Sequence, residues 1–533
     1  MSKKNDSVFK PIGFSYSEKR ISKNFQYPSD KISLYSKKVN DWYFNLWYIG
    51  EINENKTNKL IYTFSFPETK SLLDKNLIIC ETNEKVTIEN DWLGAIPVFY
   101  NLNDKIISTI PDLCLNDNSF DEEGLNVFLE FGYSAFEKTP FKDVQFMRYY
   151  SSLIVANNVI KIKYKNDPVL KSGLFNSKTK PEEVMSSIKE YVNNIEDEVS
   201  GNIIIPTSGG YDSRLLNWAI GDKSRIRSFT YGISGNQKNS REVVLAKEIS
   251  KRLKTKWEQI ELSNFNNYIE DWHRIFGFST HLHGMYHMEF YDKIINENEL
   301  DNNSTLLSGI IGDAWAGSLK TVKISNSKEI NKLAYSHGLS LDNSFYKSTP
   351  KNKLQNKFFE ENKISINDPL IQVVTMMRLK MILLSYLTTV PESFGLKTWT
   401  PFLNFDIAVQ MLSLSEEMRI NRKWQEEFFK AKGLDVETMN LSYSRVNLLN
   451  HIGASNYKFS PIKEEVFKGL LKYSKIKKLN KEINKKNNLI EFLFHNLKLS
   501  SILRRIGVNK KIGYLKVLSN YYVLKAIEKS IKK

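Results

Sequence analysis

A short segment near the middle of the chain combines an apolar run, a turn rich in serine and glycine, and the start of a helical pattern. Two adjacent glycines let the backbone approach a ligand closely. The first backbone N–H groups of the following helix have no intrahelical partner and, with the helix dipole, favour an anion. Serine hydroxyls add donors, and an aspartate suits Mg²⁺. The residues predicted to bind a pyrophosphate group and its Mg²⁺ are Ser208, Gly209, Gly210, Asp212 and Ser213.

This turn is not a Walker loop, because the chain contains no Gly-x4-Gly-Lys-Ser/Thr motif. Phosphoryl transfer of the kinase or GTPase kind therefore has no motif here. Residues 208–213 read Ser-Gly-Gly-Tyr-Asp-Ser and resemble the loop of the ATP pyrophosphatases, which cleave ATP between the α and β phosphates and leave AMP on the substrate. The resemblance implies that ATP and Mg²⁺ are the cofactors. The alternative is a Gly-Gly turn that merely connects a strand to a helix.

Over roughly residues 85–450 the chain resembles the asparagine synthetase superfamily, in five segments that follow the family order. The first segment is similar to Asp-x-x-Gly-x-x-Pro-Leu-Tyr-Tyr, the fourth to Leu-Ser-Gly-x-Gly-x-Asp and the fifth to Pro-Phe-Leu-Asp. The second resembles a helix start and the third the family's second strand with its adenosine-side loop. The five segments are residues 91–100, 120–125, 228–232, 307–313 and 401–404.

The resemblance implies a site built from two distant parts of the chain. Asp313, from the fourth segment, would hold the second side of the Mg²⁺–pyrophosphate that Asp212 holds on the first, so both are predicted catalytic residues and metal ligands. Gly309 would lie in the same loop, and adenine would lie near Thr230 and Gly232. Such a site joins AMP to a carboxylate and so provides a leaving group that an amine can displace. The aspartates would act by positioning and charge neutralisation.

The amino-terminal domain departs from the glutamine-hydrolysing members of the superfamily. Those members begin with a processed cysteine nucleophile, whereas this chain begins Met1-Ser2-Lys3-Lys4. The two cysteines, Cys80 and Cys114, lie inside the domain and cannot offer the free α-amino group that such a nucleophile uses as its base. The sequence predicts a glutaminase fold without glutaminase activity. The nitrogen would come from ammonia or another amine, or from a separate glutaminase.

The synthetase part departs as well. Ile310 stands where the family has a glutamate or a tyrosine, Ile311 stands at the second glycine, and the fifth segment ends in Asn404. The lysine that the family places on the pyrophosphate has no match, because the corresponding Arg-x-Lys resembles Arg-Val-Asn at residues 445–447. The basic residues left open for that role are Arg378, Lys380, Lys397 and Lys423.

These departures argue against free aspartate as the acceptor and favour a different carboxylate. The expected function is ATP-dependent, AMP-forming amide synthesis on a small-molecule, glycan or peptide carboxylate, such as a uronic acid of a surface glycan or of a lipid-linked sugar. The alternatives are asparagine synthesis from aspartate and ammonia, a peptide or β-lactam-type lactam cyclase, and a catalytically idle nucleotide-binding scaffold.

Four of the seven histidines fall close together in the sequence. Their spacing permits a metal site, but no cysteine is near and the closest acids lie outside the run. One of them is a candidate for the missing general base beside the adenylate, and ordinary packing histidines are the other alternative. They are His273, His281, His283 and His287.

Composition places the chain among globular proteins: it has 533 residues, of which 41% are hydrophobic and 26% charged. Neither a signal peptide nor a run of 18 apolar residues is found, so we expect a cytoplasmic protein without a transmembrane segment. The net charge is +16, and residues 461–533 alone carry 19 Lys and Arg against 5 Glu. This basic tail favours contact with an anionic surface, whereas a solvated helical appendage is the alternative. No nucleic-acid-binding module surrounds the lysines, which argues against nucleic acid.

The patterning predicts an α/β protein with three parts. Residues 1–175 alternate as short strands and are expected to form a β-rich, Ntn-hydrolase-like domain, here a degenerate glutamine-amidotransferase-like one. Residues 176–460 alternate strands with helices, which is typical of a parallel sheet whose ligand lies at the carboxyl ends of the strands. We therefore expect an ATP-pyrophosphatase domain, adenine nucleotide α-hydrolase-like, with a helical carboxyl-terminal part. Residues 461–533 form the basic helical tail.

Overall fold

The computed structural model describes residues 9–20, 25–39, 41–52, 59–65, 76–301, 303–334, 339–348, 351–485 and 510–531. Within them the chain is a mixed α/β protein, with antiparallel sheets at its amino-terminal end, one parallel sheet, and helices. The amino-terminal strands are β1 (Lys10–Ser17), β2 (Ile32–Val39), β3 (Trp42–Ile49), β4 (Lys59–Thr63), β5 (Leu77–Thr82), β6 (Lys85–Asn90), β7 (Phe99–Asn101), β8 (Ile106–Ser108), β9 (Val144–Phe146), β10 (Ser151–Ala156) and β11 (Val159–Tyr164).

These strands form two antiparallel sheets in the described part of the chain, in the orders β2-β3-β1-β8-β7-β9 and β11-β10-β6-β5-β4. Side chains from both sheets share one hydrophobic cluster, which includes Phe14 of the first sheet and Ile88 of the second. The sheets therefore pack face to face. β10 and β11 form a hairpin, and its turn residues Asn157 and Asn158 have positive φ angles of 48° and 62°. Asparagine tolerates this conformation, which is why it favours such turns.

The second part of the chain is built on a parallel sheet of short, buried strands. They are β12 (Ile203–Pro206), β13 (Ile226–Tyr231), β14 (Lys256–Ile260), β15 (Thr305–Leu307) and β16 (Lys397–Trp399). The order is β14-β13-β12-β15-β16, and every pair is parallel. Chain order therefore reverses between β12 and β15, which creates a crevice at their carboxyl ends. The predicted alternation of strands and helices is confirmed for this region.

Helices cover the sheets and form most of the remaining structure. They are α1 (Glu122–Phe131), α2 (Pro181–Glu198), α3 (Tyr211–Ala219), α4 (Arg241–Leu253), α5 (Ile269–Phe276), α6 (Met285–Glu297), α7 (Gly312–Ala316), α8 (Asn331–Ala334), α9 (Lys353–Asn362), α10 (Pro369–Leu384), α11 (Tyr386–Ser393), α12 (Phe405–Leu412), α13 (Glu416–Arg419), α14 (Lys423–Ala431), α15 (Leu449–Ser455), α16 (Tyr473–Glu482) and α17 (Lys510–Ser530).

The last helix of the basic tail is part of the folded body. Tyr521 and Tyr522 of α17 are 1% exposed, and the Tyr522 hydroxyl donates a hydrogen bond to Asn266 at 2.7 Å. The description of the tail as a solvated appendage is therefore wrong for α17. Residues 486–509 of the predicted basic helical tail lie outside the described residues.

One segment of the described chain, Pro369–Ser393, is long and apolar enough to cross a membrane by length and composition, and 67% of its apolar 18-residue stretch is buried inside the fold. It comprises α10 and α11, whose apolar side chains join the clusters that fill the interior. The segment also carries Arg378, Lys380 and Glu392, each of which has a charged partner or neighbour elsewhere in the fold. These features are typical of a core helix.

Candidate nucleotide-binding site

The serine-glycine turn lies at the carboxyl end of β12 and leads directly into α3. Three isoleucines of β12 are completely buried, so the turn starts from a fixed position. The Ser213 hydroxyl accepts a hydrogen bond from the Ser208 N–H at 3.1 Å, and the Ser208 hydroxyl accepts one from the Gly210 N–H at 3.1 Å. The two hydroxyls that the sequence assigns to a ligand thus also hold the turn in shape.

The two glycines have different reasons to be glycine. A Cβ on Gly209 would lie 2.6 Å from Cδ1 of Leu245, a residue of α4, so packing requires glycine there. A Cβ on Gly210 would meet only the Ser208 hydroxyl oxygen, at 3.1 Å. Open space in front of Gly210 fits the prediction that a ligand approaches the backbone at this point.

Arg214 holds the backbone of the turn in place. Its side chain is fully buried, and its guanidinium donates to the Gly209 carbonyl at 3.0 Å. It also forms a two-point ion pair with Glu437, at 3.0 and 2.7 Å. Such a paired geometry is rigid, so a buried side chain holds the Gly209 carbonyl in place.

Replacing Glu437 by glutamine should therefore destabilise the protein by about 2 kcal/mol, because a buried guanidinium would lose its counter-charge. Glu426→Gln is the matched control, since Glu426 pairs with Lys430 on the exposed face of α14 and such pairs contribute less than about 0.5 kcal/mol. Urea unfolding followed by tryptophan fluorescence measures both variants. Equal, small effects would contradict the supporting role of Arg214.

The second aspartate reaches the same place from β15. The chain leaves β15 at Leu307 and enters α7 through Ile311, whose φ angle is 53°. This left-handed backbone is strained for a β-branched residue, and it occurs where the resembled family has glycine. A Cβ on the next residue, Gly312, would lie 3.0 Å from the carboxyl carbon of Asp212. The start of α7 therefore abuts Asp212, and Asp313 is in its first turn.

The nearby charge of Asp313 affects the pKa of Asp212. Burial, and next the negative charge of Asp313, raise the pKa of Asp212 to about 7. The charge of Arg422 and hydrogen bonds from Gln425 and from the Asp313 backbone act in the opposite direction. Two close carboxylates at the end of a glycine turn fit a Mg²⁺ ion, which takes oxygen ligands and is usually held by one or two carboxylates together with substrate phosphates. In the described part of the chain no three His, Cys, Asp or Glu side chains cluster as a metal site.

Of the four basic residues left open by the sequence, Lys380 is the one whose charge interacts with the charge of Asp313. Lys380 is 1% exposed; burial lowers its pKa to about 8, against the opposing influence of the Asp313 charge. Arg378 is paired with Asp167. The two others are placed differently: Lys397 has Lys10 as its charged neighbour, and Lys423 pairs with Glu417.

Two residues near Asp212 had no signal in the sequence. Asn421 and Arg422 both have positive φ angles and form a kink. The Arg422 guanidinium lies 4.9 Å from the ring centre of Tyr211. Gln425 is completely buried and its side-chain nitrogen lies 3.5 Å from a carboxylate oxygen of Asp212. The Gln425 side-chain oxygen is buried without a hydrogen-bond partner. An orphaned polar atom beside two carboxylates fits a polar ligand at this position.

The remaining predicted binding residues lie on neighbouring loops. The Thr230 hydroxyl, at the end of β13, donates to the Thr207 carbonyl and accepts from the Trp257 indole, so it holds strands together. A Cβ on Gly232 would lie 2.2 Å from the Gln237 carbonyl oxygen. Gly309 lies against Asp212, with its Cβ position 3.6 Å from that of Asp212. Adenine contact at Thr230 and Gly232 stays a prediction.

Three of the four histidines, His281, His283 and His287, lie among aromatic side chains next to β13. The His281 ring accepts a hydrogen bond from the His283 N–H at 3.1 Å, and His273 lies 2.9 Å from the Ser530 hydroxyl. The ring of His287 lies 5.0 Å from that of Tyr386. Burial lowers the pKa of His287 to about 3. A base of that strength is poorly suited to accept a proton near pH 7, so the general base stays unassigned.

Other motif residues have structural roles. Asp91 accepts hydrogen bonds from the Leu93 and Ala95 N–H groups, and burial raises its pKa to about 7. Asp121 caps the start of α1, and Asn404 caps the start of α12. The asparagine in Pro-Phe-Leu-Asn therefore works as a helix cap, a role that asparagine and aspartate fill equally well.

Comparisons with known proteins leave the family open. No protein-family model matches the chain, and no curated protein matches it by sequence. Among solved structures, it is similar to the glutamine phosphoribosylpyrophosphate amidotransferase from B. subtilis complexed with ADP and GMP. The identity is 8%, the TM-score is 0.15, and the match covers 49% of this chain and 87% of that chain. A likeness at this level carries no argument about function.

Proposed function

We propose that this chain is an ATP-dependent, AMP-forming amide ligase of the asparagine synthetase superfamily, using ATP and Mg²⁺. The observation that carries the proposal is the convergence of Asp212 and Asp313 at the point where chain order reverses in the parallel sheet. Open α/β sheets bind ligands at this crevice. The glycine turn and the first turn of α3 lie at the same end, where backbone N–H groups favour phosphate.

In the proposed reaction, an oxygen of the acceptor carboxylate attacks the α phosphorus of ATP, and the bond to the β-phosphate oxygen breaks. Ammonia or another amine then attacks the acyl carbon, AMP leaves with the bonding electrons, and the nitrogen gives up a proton. Asp212 and Asp313 would hold Mg²⁺, which neutralises the charge of the departing pyrophosphate. Ser208, Ser213 and the backbone of the turn would bind that pyrophosphate, and Lys380 would add a positive charge.

The acceptor that we propose is a carboxylate other than free aspartate, such as a uronic acid of a surface glycan or lipid-linked sugar. Supporting this, Ile310 is 4% exposed and offers no acid or phenol at the position that follows Gly309. Residues 461–533 carry the basic charge that would favour an anionic surface or carrier.

The test is product analysis with ATP, Mg²⁺, ammonium and a panel of pooled acids including uronic acids. We expect AMP and pyrophosphate in equal amounts, dependent on an added carboxylate and abolished by EDTA. Glutamine should not replace ammonium unless a separate glutaminase is added. Release of ADP and phosphate would contradict the proposal, and nucleotide binding without any turnover would favour a scaffold.

A further inference from the structure

A cavity of about 400 Å³ lies between the amino-terminal sheets and α10. Its described lining contains none of the residues assigned above to ATP or Mg²⁺. Cavities of a few hundred Å³ that combine apolar walls with a few polar groups are the usual form of small-molecule sites. The apolar part of the lining includes Phe136, Phe146, Met147, Leu170, Phe358 and Ile382.

Arg148 brings a positive charge to this cavity without a carboxylate partner. Its Nε atom is buried and makes no hydrogen bond, and no carboxylate within the described ranges forms an ion pair with it. Its guanidinium instead lies 4.3 Å from the ring centre of Tyr164 and 5.5 Å from that of Tyr149. A partly buried guanidinium without a carboxylate partner would gain from a carboxylate that a ligand supplies, because hydrogen bonds between charged groups are the strong ones.

Arg378, which lines the cavity from α10, already has acceptors for its donors. Two of its nitrogens donate to Asp167 at 2.5 and 2.9 Å, and Nε donates to the Trp92 carbonyl at 2.9 Å. It lies 3.8 Å above the ring of Tyr149. Arg378 therefore stiffens the wall, whereas Arg148 retains an open donor.

The wall facing α9 is strained. Phe136 and Glu137 have φ angles of 56° and 62°, a conformation that side-chain-bearing residues rarely adopt in succession. The strain turns the Phe136 ring toward Phe358, at 5.1 Å, while Glu137 accepts a hydrogen bond from the Tyr164 hydroxyl at 2.8 Å. Strain of this kind persists where surrounding structure enforces it, and it is concentrated at ligand sites.

We propose that this cavity binds a small molecule with one carboxylate and an apolar body, with the carboxylate on Arg148. The apolar walls of the cavity would pack against the apolar part of the ligand. A singly charged anion fits better than a phosphate dianion, because Glu137 and Glu361 also line the cavity and the charge of Arg378 is matched by Asp167. The proposal does not depend on the ligase reaction, because no residue assigned to ATP or Mg²⁺ lines this cavity.

The test is calorimetric titration of the full chain, without ATP, with octanoate, octylammonium and octyl phosphate. Octanoate should bind at least about 10-fold more tightly than the other two, as expected for a charge-assisted contact. Arg148→Met should weaken octanoate binding about 10-fold. The matched control is Arg274→Met, since Arg274 is exposed and paired with Asp271 away from the cavity; it should leave binding unchanged.

Thr375→Phe is the second variant, because Thr375 lines the cavity from α10 and a phenyl ring there would fill it. Thr375→Phe should abolish octanoate binding. If Arg148→Met fails to fold, Thr375→Phe alone tests the proposal. No octanoate binding by the parent chain, equal binding of octylammonium, or unchanged binding in both cavity variants would overturn the proposal. None of these readouts depends on ATP, so failure here is distinct from failure of the ligase.

Discussion

Asp212→Asn is expected to reduce carboxylate-dependent pyrophosphate release by about 10³-fold, the size of effect seen when one preorganised charge is removed from a reacting group. The same substitution is expected to stabilise the ligand-free protein at pH 8. Burial and the charge of Asp313 raise the pKa of Asp212 to about 7 in the folded state, well above the usual value near 3.9. Because the folded state resists ionisation of this carboxyl group, the protein loses stability when the pH rises above the pKa of an ordinary aspartate.

The direction of the pH effect follows from proton binding. Between about pH 4 and pH 7 the folded chain keeps the Asp212 proton while the unfolded chain has released it, so stability falls as the pH rises through that window. Above pH 7 both states have released the proton, and the full loss of stability remains. Each pKa unit corresponds to about 1.4 kcal/mol, and because Asp212 is only partly buried, screening by water brings the expected gain in Asp212→Asn to roughly 2 kcal/mol.

Thermal unfolding at pH 4.5 and pH 8, without nucleotide or Mg²⁺, measures this gain, which should be present in full at pH 8 and reduced to about a quarter at pH 4.5. Asp222→Asn is the matched control, because Asp222 is an exposed turn residue whose pKa is lowered by hydrogen bonds from Ser224. It should leave pyrophosphate release unchanged and should not gain stability at pH 8. An active Asp212→Asn variant would contradict the proposed site. An inactive variant without the gain would show that burial and the charge of Asp313 do not raise the pKa of Asp212 in the ligand-free protein.

The local parts of the site could be predicted because each depends on a few neighbouring residues. The strand, the glycine turn and the helix from residue 203 onward follow directly from the order of residue types, and so does the hairpin at Asn157 and Asn158. The crevice between β12 and β15 depends on strand order. The sequence predicted a parallel sheet and ligand binding at its carboxyl edge, but only the structure gives the order that joins Asp212 to Asp313.

The helical contributors could not be predicted, because their positions depend on packing over long sequence separations. Lys380 and three other basic residues had equal support in the sequence, and our preference for Lys380 depends on the packing of α10 on α7 and on the nearby charge of Asp313. Arg422 approaches Asp212 through a kink with two left-handed residues, which no spacing rule indicates. The role of Arg214 was hidden because its partner Glu437 is 223 residues away.

Lys380→Met is expected to reduce pyrophosphate release by about 10²-fold, because it removes a buried positive charge that interacts with the charge of Asp313. The variant should remain folded, since it exchanges a charge that burial disfavours for an apolar side chain of similar length. Lys397→Met is the matched control. Burial also lowers the pKa of Lys397 to about 8, but its charged neighbour is Lys10.

The pH profile distinguishes a charge on the nucleotide from a packing role. Burial lowers the pKa of Lys380 to about 8, so its ammonium is present below that pH and is lost above it. In the parent, kcat/KM for ATP should therefore fall as the pH rises through about 8, and in Lys380→Met the profile should be flat over that range. If Lys397→Met loses as much activity as Lys380→Met, or if Lys380→Met keeps the alkaline fall of the parent, then the positive charge on the pyrophosphate comes from another residue, and Arg422, beside Asp212, becomes the candidate to test.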